Sequence, residues 1–217
     1  MERLERYAPL SGVLAVVLWV AGVVVMDSDM PGDKAPGAEI AAWFDSKSGA
    51  ILLAVTFFGI GSAAFMWFLG TLAARLRGAR GDGRLPGIMF VAGAASIALV
   101  TMGPGSYAAG AMAYGSLDRT LEPGAAEVLF VLGQGFFVVA EFVAVAFMGA
   151  AGLAILRSAI IPAWIGWACL ALAVMLIFSP IGWAALYLGI PLWTLVTGIW
   201  LYLRGSSARG AAEAVAP

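Results

Sequence analysis

Residues 126–156 read AEVLFVLGQGFFVVAEFVAVAFMGAAGLAIL. Past Glu127 this run of about thirty residues contains one charged side chain, Glu141, and one amide, Gln134. At 1.5 Å per residue a helix of that length more than covers the roughly 30 Å of hydrocarbon in a bilayer. The alternation of a barrel strand is missing, and Ala, Val, Leu and Gly fill the positions instead. A chain in lipid has to satisfy its own backbone hydrogen bonds, so a stretch of this kind is helical.

Similar runs recur. Apolar length predicts six spans, at about 7–26, 50–76, 86–110, 126–156, 162–179 and 181–203, the fifth at the short limit. The whole chain of 217 residues agrees, being 62% hydrophobic and 12% charged, where a soluble domain carries about 45–50% and about 25%. The expected fold class is therefore an all-α, polytopic membrane bundle of six transmembrane helices. Residues 1–204 would form one domain and 205–217 a flexible cytoplasmic tail. The first span exceeds a secretory apolar core of about 7–15 residues and lacks a small-x-small cleavage pattern, so it reads as a retained helix.

Lysine and arginine orient the bundle. With the N-terminus inside, the inner segments hold Arg3, Arg6, Arg75, Arg77, Arg80, Arg84, Arg157, Arg204 and Arg209, against Lys34, Lys47 and Arg119 outside. That bias places both termini in the cytoplasm of a cell whose cytoplasmic membrane the chain crosses several times. Eight acids, Asp27, Asp29, Asp33, Glu39, Asp45, Asp118, Glu122 and Glu127, fall outside.

Composition also removes chemistries. There is no histidine and a single cysteine, Cys169, which argues against zinc, haem and iron–sulfur sites, and no cofactor is expected. A net charge of −1 gives no basic surface for nucleic acid. Nothing resembles a catalytic triad, an intramembrane Asp pair, a phosphate loop or a metal motif, so no enzyme activity is expected.

What remains is the polar content of the spans. Glu141 lies at the centre of its span, with Gln134 and Glu127 seven and fourteen residues earlier, nearly on one helix face. An intramembrane ionisable group is the first place to look for function. The stripe reads as an entry path for a proton, ion or polar substrate, or Glu141 is a protonated group that fixes helix packing through a hydrogen bond. Matching depth in the other spans puts Ser62, Ser96, Cys169 and Thr194 near Glu141, and the three hydroxyls could complete a polar core.

Three further features concern shape. In the first outer loop, Ala38–Ser46 sets Ile40, Trp43 and Phe44 at i, i+3 and i+4, which predicts a short amphipathic helix in the headgroup region, either an anchor or a lid. Gly103-Pro104-Gly105 should interrupt the third helix and Pro191 should kink the sixth. Prolines at 9, 86 and 162 open spans one, three and five, and Leu-Arg pairs close spans two, four and six, which suggests three repeated helical hairpins. Trp43, Trp164, Trp167, Trp183, Trp200 and Tyr202 read as aromatic belts.

Ala38-Glu39-Ile40-Ala41-Ala42-Trp43-Phe44, the run Leu72-Ala73-Ala74-Arg75-Leu76-Arg77, and Ile161-Pro162-Ala163-Trp164-Ile165-Gly166-Trp167 resemble segments of uncharacterised small multi-span integral membrane proteins of GC-rich bacteria. The resemblance implies a fold type and a bacterial inner membrane, and transfers no functional residues. Three functions stay open: a structural, accessory or binding component working through lipid, a protein partner or a second copy; a small transporter or channel using Glu141; or a membrane enzyme acting on lipid.

Overall fold

The computed structural model describes residues 7–26, 29–80, 83–117 and 119–213. Arg3, Arg6, Asp27 and Asp118, named above in orienting the chain, lie outside the described residues. The structure is all-α, with 88% of it helical. In chain order the helices are α1 (Leu10–Met26), α2 (Gly37–Ser46), α3 (Ser48–Arg80), α4 (Arg84–Gly115), α5 (Pro123–Ser158), α6 (Ala163–Ile177), α7 (Ser179–Ala184), a π-helical turn (Ala185–Gly189) and α8 (Ile190–Glu213). The last helix continues beyond residue 204 into the stretch expected as a tail.

Four helical stretches are long and apolar enough to cross a membrane: Ser48–Gly78, Arg84–Gly115, Pro123–Ser158 and Pro180–Arg204. Their surfaces suit lipid. Trp67 is 69% and Val91 67% exposed, and large apolar groups left open on this scale do not suit a surface in water. The two remaining apolar helices, α1 with 17 residues and α6 with 15, are shorter than the six-span reading assumed. Each has a proline at the end that sets its length. Gly12 donates to the carbonyl of Pro9 at the start of α1. The sequence beyond α6 reaches Pro180, which has no N–H to extend the ladder.

The chain sorts into two compact units, residues 17–62 with 97–140, and residues 1–16 with 63–96 and 141–217. Helices α1, α3, α4 and α5 each contribute residues to both.

In the first unit, α2 is packed inward. Ile40, Ala41, Trp43 and Phe44 are buried in a cluster with Ile51, Tyr107, Ala111, Ala126 and Phe130. The amphipathic stripe predicted for the headgroup region thus faces protein rather than lipid, and Trp43 is not a belt residue. Aromatic faces on α4 and α5 bury more of its area than a headgroup layer would. Rings lock edge to face, Trp43 on Tyr107 at 6.0 Å and on Phe130 at 6.2 Å, while Tyr107 stacks on Phe130 at 5.5 Å. Two glycines make room: a Cβ at Gly110 would meet the Phe44 ring at 2.7 Å, and one at Gly37 would run into the Pro123 carbonyl. Lys47 ties the end of α2 to Asp29 at 2.8 Å.

The second unit is held by Phe65, Phe68, Phe147 and Trp193, whose rings meet at 5.7–6.1 Å. Here α5 and α6 approach backbone to backbone, because Gly152 and Gly166 each leave no side chain in front of the other's carbonyl. Arg75 donates to the Leu201 carbonyl at 3.3 Å, and Arg204 covers the Trp200 ring at 4.8 Å.

Proline acts differently from expectation in one place. Helix α4 runs unbroken through Pro104. Gly103 lies close enough to the Phe137 ring and the Gly133 carbonyl that a Cβ would clash with both, and this packing holds the helix on course past one missing hydrogen bond. Around Pro191 the regularity does break, in the π turn just before it, where Ile190 donates to Ala185. The wider turn gives the proline ring space that an α-helical carbonyl four residues back would occupy.

Candidate functional site

Glu141 sits midway along α5, on the edge of a buried stripe that includes Phe137, Ala140, Ala144, Phe147 and Met148. It is 5% exposed. Its Oε2 lies 2.7 Å from the point where a Cβ on Gly182 would stand, and the Leu176 carbonyl oxygen is 3.4 Å from that same point. Glycine at position 182, in α7, is thus what admits the carboxyl. Among the described residues Glu141 makes no hydrogen bond or ion pair.

Among the described residues none of the other predicted side chains is hydrogen-bonded to it. Along α5, Gln134 is half-buried and Glu127 exposed, so the stripe fades from buried to open, and both belong to the first unit. Ser62, also there, shares a 2.8 Å hydrogen bond with Thr101, which itself donates to Ile97. Thr194 is buried and donates to its own helix at Ile190, a common habit of hydroxyls in membrane helices. Ser96 and Cys169 are buried as well. Neither the Ser62 nor the Thr194 hydroxyl is hydrogen-bonded to the Glu141 carboxyl.

Sequence reasoning missed Thr101, Gly182 and the Leu176 carbonyl. A signal for the last was present: Pro180 follows Leu176 by four residues and removes the donor that its carbonyl would receive in a continuing helix.

A second candidate lies in the first unit. The inward side of α2 is buried, while Ala38, Glu39, Ala42 and Asp45 are exposed on its other side. Asp29, Asp33, Glu122 and Glu127 are exposed too, against Lys34, Arg119 and a partly covered Lys47. The hydrogen bond and charge of Lys47 hold the Asp29 carboxyl below the usual carboxylate range. Beneath, no acceptor among the described residues reaches the Trp43 indole N–H or the Tyr107 hydroxyl. Compared with known proteins, the chain matches no protein family, no curated protein and no solved structure.

Proposed function

We propose that the chain is an integral protein of the bacterial cytoplasmic membrane with six crossings as three hairpins and both termini cytoplasmic. It works without catalysis, as a structural, accessory or binding component that meets a cationic partner through its outer loop. The observation carrying this reading is α2. Its apolar side is locked into the aromatic cluster, so its carboxylates stand on a fixed surface instead of a slack linker. A fixed field of one sign steers and selects an oppositely charged partner.

Proton- or ion-coupled transport through Glu141 draws less support from this geometry, since Glu127 and Gln134 do not join Glu141 in a shared polar niche. Polylysine binding to full-length protein in zwitterionic liposomes tests the loop. The triple variant Asp33→Asn, Glu39→Gln, Asp45→Asn is expected to bind severalfold more weakly at low salt, a difference that salt erases. Equal binding would overturn the loop reading. Proton flux above background in wild type that Glu141→Gln abolishes would replace it with transport.

A further inference from the structure

Two hydrogen-bond acceptors face one niche at Gly182: the Glu141 carboxyl at 2.7 Å and the Leu176 carbonyl at 3.4 Å from the missing Cβ. Two acceptors that share a niche repel unless something positive or a donor lies between them. Among the described residues neither receives a hydrogen bond from a side chain or across the break. Pro180 cannot supply the N–H that would occupy Leu176, and at the break Phe178 donates to Met175 while Ile181 and Gly182 both donate to Phe178. Glu141 is buried and unpaired, and leaving such a group charged in hydrocarbon is among the costliest arrangements a membrane protein can hold.

We infer that Glu141, Leu176 and Gly182 form an intramembrane proton-binding site, in which the proton carried by the Glu141 carboxyl is donated to the Leu176 main-chain carbonyl. The site joins the middle of α5 to the break between α6 and α7. Its proton is the only charge carrier needed. On α6 the titratable group is Cys169, two helical turns before Leu176, and on the α7 to π-turn segment it is Tyr187. On α5 itself Arg157 is sixteen residues away, about 24 Å along the axis. Arg75, Arg77 and Arg84 sit near ends of their helices, and Arg204 stands at the end of the last apolar stretch. No cation among the described residues pairs with Glu141 in the proton's place.

Dicyclohexylcarbodiimide is a suitable probe, because it is apolar and reacts with a carboxylic acid in its protonated form. The acid O–H adds across one C=N bond, oxygen to carbon and proton to nitrogen, and an oxygen-to-nitrogen acyl shift leaves a stable N-acylurea. Full-length protein in liposomes is treated across a pH series, and adducts are mapped by mass spectrometry. At neutral pH the adduct is expected on Glu141, diminishing as pH rises, and absent in Glu141→Gln. Pro180→Ala restores an N–H that competes for the Leu176 carbonyl. Its half-labelling pH should fall by up to about one unit, the roughly tenfold change that one hydrogen bond is worth. A thermal melt confirms that this variant is folded. Glu141 unlabelled at every pH, labelling indifferent to pH, or an unmoved midpoint in folded Pro180→Ala would overturn the site. Protection by sodium at constant pH would reassign it to a metal cation.

Discussion

Tyr107 is fully buried, its ring stacks on Phe130 at 5.5 Å, and its hydroxyl has no acceptor among the described residues. The ring stabilises the cluster under α2 and the hydroxyl opposes it, since burying an unpaired polar group costs about 1–3 kcal/mol. Tyr107→Phe keeps the stack and deletes the cost, so the variant should melt higher in detergent, by about 1 kcal/mol of stability. A drop of similar size would show that the hydroxyl is satisfied by bound water or a ligand. At Asp29 the sign of a pH effect follows from its partner. Lys47 lowers the folded-state pKa, so the tether is fully present above the unfolded value and is lost as pH falls through the folded one, below about pH 4. Hydrogen exchange across residues 29–36 should therefore stay flat from pH 7 to 5, after correction for intrinsic rates. In Lys47→Ala it should already be faster at pH 7. Glu141 was legible in the sequence as the one charge inside a span. Its niche was legible only in part: Pro180 marks the Leu176 carbonyl as lacking its helical donor, but nothing in a side-chain pattern marks Gly182 as the neighbour of Glu141.

Periodicity located α2 to within a residue at its start, since Ile40, Trp43 and Phe44 at helical spacing announce a stripe whatever covers it. What covers it depends on Tyr107 and Phe130, more than sixty residues away in sequence, and spacing carries no such information. The prolines teach the same lesson. Pro104 and Pro191 look alike locally, yet one is absorbed into a regular helix and the other is preceded by a π turn, because their neighbours differ. Contact between helices is likewise decided residue by residue. A Cβ at Gly152 would lie 2.8 Å from the Gly166 carbonyl, whereas one at Gly149, three residues earlier on the same helix, would meet nothing. Gly152→Val should therefore cost about 1–3 kcal/mol by forcing α5 from α6, while Gly149→Ala should be harmless or gain up to about 1 kcal/mol of helix propensity. Thermal melts of the two variants that moved together would refute a specific crossing at Gly152.

For the whole molecule, composition revealed the long apolar helices, and the arginine bias suggested which ends face the cytoplasm. The number of crossings was less legible, because it turns on α1 and α6, whose 17 and 15 residues lie at or under the usual minimum for a span. The charge asymmetry still favours six. If α1 lay flat, residue 7 would share a side with the acidic loop, and if α6 failed to cross, Arg204 would change sides. The single cysteine makes this measurable, since Cys169 is buried and a membrane-impermeant maleimide should leave the wild-type chain unlabelled. In intact cells Glu39→Cys and Leu117→Cys, at exposed positions, should label at once. Tyr7→Cys, Gly78→Cys and Arg204→Cys should label only after the membrane is permeabilised. Early labelling at residue 7 would lay α1 along the surface, and early labelling at residue 204 would mean that α6 and the final helix do not both cross. Either result would remove the hairpin triplet, because the Leu-Arg closures could then no longer all lie on one face of the bilayer with the proline starts.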